Sequence, residues 1–302
     1  MKRTLLFALS LFAAAVLARY GIAPFATQLP GDYSSELNFV VDNRFRTSPH
    51  EAWETNAFTA RRTDQILSNT NGVAIVQGSL DWTNDAGELI FENIGLYGVD
   101  RRSRLILPGY GDAERNGQYL FPLHVQPVTY TLWDSQYIGP RTATFDHAEN
   151  MDGLNIYVFH FGVAGIDETA GYGSLDGVPE RYHAHTDGQG TLWVEPLSGI
   201  VFDYEEHGVS YFVDAKSGQR LEDFHNWSDR YTPATRAAQL ELARQARLRI
   251  LGLEVWLPAA FLGWGIMLLI VGFLKETKAD TQRTRPMKDL APALTMNDEE
   301  PT

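Results

Sequence analysis

The chain has 302 residues, with 38 acidic against 25 basic side chains, a formal charge of −13 and no cysteine. That length allows one large domain or two small ones, and the acidic balance argues against a general nucleic-acid binder, because no basic surplus is there to displace counterions from phosphates. The absence of cysteine excludes disulfide frameworks, thiolate zinc sites, iron–sulfur clusters and thiol catalysis together.

In chain order, Lys2 and Arg3 precede an apolar run from Leu5 to Leu17, and beyond Arg19 the sequence stays mostly apolar to Ala26. Two readings fit this segment. One is a cleaved signal peptide, with Val16 and Ala18 as the small residues before a cut at Arg19. The other is a retained helix from Leu5 to Ala26, about 33 Å long at 1.5 Å per residue and able to cross a hydrocarbon core of roughly 30 Å.

Residues 28–231 read as β-rich. Alternating patterns predict strands at 72–82 and 88–94, joined by a turn at Thr83-Asn84-Asp85-Ala86-Gly87. Further strands are expected at 104–107, 128–133, 142–147, 154–161, 190–195, 200–205 and 209–213. A short phrase recurs among them: Val194-Glu195-Pro196-Leu197-Ser198-Gly199, Val213-Asp214-Ala215-Lys216-Ser217-Gly218 and the variant Val99-Asp100-Arg101-Arg102-Ser103-Arg104. An acid that bonds backbone two residues on, followed by turn formers and a glycine for positive φ, makes a tight corner. Corners of this kind, with no helices alternating between the strands, point to an antiparallel meander or sandwich.

Thr232 is a good N-cap and Pro233 suits the first helical position, so a helix is expected to Leu251. Ala238, Leu242, Ala246 and Ile250 fall at four-residue spacing on one side, whereas Arg236, Arg244 and Arg247 lie together on another. Those arginines could meet anionic headgroups or pair with the acidic domain, and spacing does not choose between the two. Val255 to Leu274 then gives an uncharged run long enough to span a bilayer.

Basic residues precede the first apolar segment and follow the second (Lys275, Lys278, Arg283, Arg285, Lys288), so both termini are assigned to the cytoplasm. Residues 28–234, with 30 acids and 13 bases, would then be extracytoplasmic. The expected class is mainly β: an antiparallel β-rich extracytoplasmic domain between N- and C-terminal transmembrane helices. Its divisions are 1–27, 28–231, 232–251, 252–274 and a polar cytoplasmic tail at 275–302, with Leu5, Leu17, Val255 and Leu274 marking the membrane segments.

Four stretches carry a family resemblance: Tyr119-Leu120-Phe121-Pro122, Thr129 to Asp134, Asp152 to Phe159, and Thr191 to Val201. In this order they resemble the signature of the PorA-like family, porin-named envelope membrane proteins of actinobacterial type whose function is unknown. Arg19-Tyr20-Gly21-Ile22-Ala23-Pro24, followed by Leu29-Pro30, is similar to that family's N-terminal pattern. The resemblance implies two retained helices in an inner membrane and an exterior domain that handles lipids or glycolipids. A pore does not follow from the name, since porins are closed barrels of strands with lipid-facing alternation, not β domains hung between apolar helices. The chain departs from the family pattern in its acidity and in a histidine-containing insertion around Tyr182 to Asp187.

Three chemistries can be weighed on the residues themselves. If their segment is extended, His183 and His185 project to one face, and a third ligand from Asp187, His160 or His207 could complete a metal site. Against this, the surrounding glycines from Gly171 to Gly190 suggest a loop with exposed histidines. Asp134, Glu195 and Asp203 could furnish a carboxylate pair for glycan hydrolysis, although turns explain Glu195 and Asp134 more simply, and no nucleophile elbow, zincin motif, Walker loop or dinucleotide fingerprint occurs. The aromatic run from Tyr119 to Trp133 is explained by core packing, or more sharply by an apolar groove or tunnel for an acyl chain. Phe121, Tyr130, Trp133 and Trp193 are its candidate ligand-binding residues.

The expectation is a non-enzymatic, membrane-anchored envelope protein without a cofactor, which binds or conveys a lipid or lipid-linked glycan. The alternatives are a sensory or scaffold protein that recruits envelope partners, and a glycan hydrolase.

Overall fold

Strand alternation is plainest in β3 (Val73–Asn84), where Ala74, Val76, Leu80 and Trp82 are buried on one face and Gln77 is exposed on the other. The computed structural model describes residues 2–46, 51–134, 139–169 and 181–283. Among them, nine further strands join β3: β1 (Ser34–Phe45), β2 (Glu54–Thr70), β4 (Leu89–Asp100), β5 (Tyr130–Asp134), β6 (Gly139–Met151), β7 (Leu154–Asp167), β8 (Tyr182–Glu195), β9 (Ile200–Asp214) and β10 (Arg220–Tyr231). They form a single sheet in the order β4-β3-β2-β1-β10-β9-β8-β7-β6-β5, and every neighbouring pair is antiparallel.

Two meanders, β1 to β4 and β5 to β10, are therefore fused where β1 pairs with β10, in a register that sets Phe39 opposite Tyr231. Of the two expected arrangements the meander is the one formed, as one curled sheet and not two stacked sheets. The segment between β4 and β5 bridges the two edge strands. Val99 pairs with Ile106, Leu105 with Gln118 and Gln118 with Leu132, so the edges are tied by short contacts and are not left as open ladders. Residues 104–107, expected as a strand, enter two of these isolated bridges, through Leu105 and Ile106, and form no ladder of their own.

The three recurrent phrases are corners. Asp214 accepts from the N–H groups of Lys216 and Ser217, Asp100 from those of Arg102 and Ser103, and Glu195 from that of Ser198 at 2.7 Å. The closing positions Gly199 (φ 72), Gly218 (φ 68) and Arg104 (φ 63) are all left-handed. Arg104 holds this conformation because its guanidinium is tied down: Nη1 donates to the carbonyls of Phe121 (2.7 Å) and Ser198 (2.8 Å), joining two corners.

Strands β1, β2 and β10 were not among those expected, and β8 and β9 are longer than expected. The stretch 182–190 is part of β8 and not a loop, while 171–180 lies outside the described residues. β9 runs unbroken through Gly208, which sits beneath the Trp227 ring where no side chain fits.

Helix α2 (Pro233–Leu251) begins as expected, with the Thr232 hydroxyl accepting from the Thr235 N–H at 3.1 Å. Leu240 and Ala243 pack with Ile156 and Phe202. The arginines turn to the domain: Arg236 bonds Asp203 (2.5 Å) and Asp152 (3.0 Å), Arg244 the Asp152 carbonyl (2.7 Å), and Arg247 the buried Glu195 (2.8 Å). This answers the choice that spacing left open. Helix α2 and the sheet form one compact unit, Ala23–Gly252.

The second unit contains α1 (Lys2–Val16), the π-helical turn Leu17–Ile22, a second π turn Gly252–Trp256 at its border, and α3 (Leu257–Arg283). Lys2–Ala26 and Pro233–Lys278 each contain a window with the length and hydropathy of a membrane span. Leu5, Leu17, Val255 and Leu274 are exposed, as lipid-facing residues would be. Within this unit Arg19 pairs with Glu254 at 3.5 Å.

Candidate ligand cavity

A cavity of about 870 Å³ lies wholly within residues 26–250, between α2 and one face of the sheet. Its helix wall is the four-residue stripe Ala238, Leu242, Ala246 and Ile250, which periodicity alone had marked as one side. Leu242 is 46% exposed although it belongs to an apolar stripe, because it borders open space and not packed side chains. Across from the helix stand Phe39, Phe161, Leu192, Tyr204 and Tyr231. These belong to two apolar clusters that meet at Tyr204, which stacks on Phe161 and on Tyr231. The wall is thus the sheet's own core face, left partly uncovered.

Into this apolar surface the fold sets charge. The inward positions of β2 are Ala60, Arg62 and Asp64, and all three line the cavity. Arg62 reaches Asp64 at 3.3 Å, and the Asp64 carboxylate also accepts from the Tyr119 hydroxyl and from Ser35 at 3.1 Å. Burial and the neighbouring Asp64 charge push the Tyr33 hydroxyl up to about 12 and hold the Tyr119 hydroxyl well above its ordinary value, so both stay neutral. Burial draws Arg62 down, but the Asp64 carboxylate together with the Tyr119 and Tyr33 oxygens outweighs it, leaving Arg62 a firmer cation than in water. Burial lowers Arg104 to about 10, so it too is charged at neutral pH. Arg141 and Asp229, both buried, also line the cavity, and the exposed Asp32, Glu36 and Arg249 complete its charged lining.

The expected ligand-binding residues divide evenly. Phe121 and Trp133 line the cavity. Tyr130 packs on the Phe121 ring at 5.3 Å between centroids without reaching the cavity, and Trp193 sits in the separate cluster beneath α2, its Nε1 donating to Glu149. Sequence reasoning missed Arg62, Asp64 and Arg104. A usable signal was present in β2: an alternating stretch whose inward positions turn charged.

His183, His185 and Asp187 do share one face of β8, in its extended backbone. Asp187, however, is held by Arg220 (2.9 Å) and the Gly165 N–H (2.7 Å), and His183 faces Asp167 at 3.6 Å. Among the described residues no group of three could hold a metal ion. His160 and His207 lie elsewhere, the first on Thr191 and Asp146 and the second on Gln189. The three carboxylates weighed for hydrolysis are not grouped either. Glu195 is fully buried in its corner against Arg247, Asp203 is bound to Arg236, and the Asp134 side chain lies outside the described residues.

No curated protein matches the chain. Solved structures that align with it include a DUF1329 family protein from Desulfovibrio piger, at 10% identity over 73% of this chain and 90% of that one, with a TM-score of 0.20. A LolA superfamily protein from Nitrosomonas europaea aligns at 13% identity over 74% and 91%, with a TM-score of 0.15. DynF, from the dynemicin pathway of Micromonospora chersina, aligns at 12% over 68% and 85%, with a TM-score of 0.17. Likenesses this slight carry no inference here. The family comparison is of another order, because the model described as Porin PorA matches residues 4–274, nearly the whole span from the first apolar helix to the end of the second. The chain belongs to the Porin PorA family.

Proposed function

We propose that this protein is a non-enzymatic envelope protein, anchored in the cytoplasmic membrane by its two apolar helices, whose exterior domain binds or conveys an amphiphile such as a lipid or lipid-linked glycan. The observation that carries the reading is the cavity. Its volume of about 870 Å³ lies within the roughly 300–1,000 Å³ range of ligand pockets, and its walls are largely apolar with a few polar groups converging on them. The lining runs from Ala26 to Ile250, the residues at which the chain enters and leaves the domain next to each apolar segment in sequence.

The porin reading is disfavoured by the sheet's other face. Thr59, Arg61, Gln65, Thr142, Thr144, Asp146, His160, Glu205 and His207 are exposed there, whereas a barrel in lipid presents an apolar band outward. The acidic excess between the helices and the basic residues beyond them favour an exterior domain and cytoplasmic ends.

Native mass spectrometry of the detergent-purified full chain tests the proposal. Acyl species retained by the protein and released by organic extraction are expected, with occupancy sharply reduced in Leu242→Glu, which sets a charge in the helix wall. A chain that is empty and takes up no added amphiphile contradicts it.

A further inference from the structure

Four arginines and four carboxylates line the cavity, but Asp32, Glu36 and Arg249 are exposed, and the charges deeper inside do not cancel. Its buried or half-buried lining holds three guanidinium groups, Arg62, Arg104 and Arg141, against two carboxylates, Asp64 and Asp229. Arg62 is matched by Asp64. Arg104 is different. It is 9% exposed, Nη1 is satisfied by the Phe121 and Ser198 carbonyls, and among the described residues no carboxylate pairs with it and its Nε has no partner. A buried cation without a counter-charge costs several kcal/mol unless something in the site compensates for it. The side chain also holds a left-handed backbone at φ 63, a position filled by glycine in the two matching corners.

We propose that the ligand is an anionic amphiphile whose carboxylate or phosphate head meets Arg104 beside Arg62, with its apolar chain against the α2 stripe. This rests on the cavity reading and narrows it to one class of head group. The Tyr33 hydroxyl, kept neutral by burial and by Asp64, stands close to the same charges and is suited to donate to an anion, whereas the Tyr119 hydroxyl is already given to Asp64. A guanidinium is matched to both carboxylate and phosphate through paired N–H groups, so the two sources share one recognition chemistry.

The test uses the full chain, stripped of lipid in a neutral detergent, and three probes with the same hexadecanoyl chain: the free acid, its methyl ester and the 1-acyl-glycerol 3-phosphate. The expected result is that one or both anions bind at least about tenfold more tightly than the ester, the tighter anion naming the source. In Arg104→Met this preference should collapse towards parity while ester binding persists, and Arg104→Lys should restore part of it.

Because Arg104 also joins two corners, its variants could fail to fold, and the comparison of the two anions with the ester on the unsubstituted protein decides the matter without them. Binding of the ester as tight as that of both anions overturns the anionic head group and leaves the cavity reading intact. Failure of all three probes overturns the cavity reading itself. A preference undiminished in a folded Arg104→Met removes the role given to Arg104.

Discussion

Gly199 and Gly218 close two corners of the same phrase at nearly the same φ, yet their surroundings differ. A Cβ on Gly218 would meet nothing within 4 Å, while one on Gly199 would fall inside contact distance of the Phe121 and Pro122 carbonyls. Gly218→Ala is therefore expected to cost about 1–2 kcal/mol, the left-handed penalty alone. Gly199→Ala should cost at least about 2 kcal/mol more, read as the difference in denaturation midpoints. In the same corner, Glu195 is fully buried and its charge is answered by Arg247. Arg247→Met should destabilise by about 2 kcal/mol, below the roughly 3–5 kcal/mol of a fully enclosed pair because Arg247 is one-third exposed. Chemical denaturation followed by tryptophan fluorescence measures this. The corners were legible in the sequence because an acid, turn formers and glycine act locally. The cavity arginines were not, since nothing near Arg104 in sequence announces that the carbonyls of residues 121 and 198 will converge on it.

Element by element, legibility followed how purely each segment serves the core. The stripe on α2 and the alternation in β3 were readable because their inward positions are apolar. β2 was not, because its inward positions include Arg62 and Asp64, which face a cavity and erase the period-two apolar signal. β10 was obscured in the same way by His225 and Asp229, and by register shifts near Asp223. His225 gives this element a pH signature. Burial lowers its folded pKa to about 4 from the ordinary 6.5, so between these values the unfolded chain binds a proton that the native chain does not. Stability should be full above about pH 6.5 and fall as the pH drops towards 4, by up to about 3 kcal/mol in all. Denaturation midpoints across that window check it, and His225→Gln should flatten the slope there. At the start of α2, Thr232→Ala removes the bond to the Thr235 N–H and should cost about 1 kcal/mol.

For the molecule as a whole, the sequence runs from one apolar helix through a curled antiparallel sheet, whose core face is left partly open beneath α2, to a second apolar helix. The order of apolar ends and a β-rich middle was legible from composition. The cavity was not, because it arises from β1 to β3, β5 to β10 and α2 together, elements up to about two hundred residues apart. A hexadecanoic acid carrying a photoreactive diazirine near its methyl end, bound to the full chain and irradiated, examines this most directly. Labelling is expected on α2 peptides containing Leu242 and Ala246 and on the facing strands at Phe161 and Leu192. Labelling confined to α1 and α3, with the domain unmarked, would contradict a ligand chain held inside the sheet.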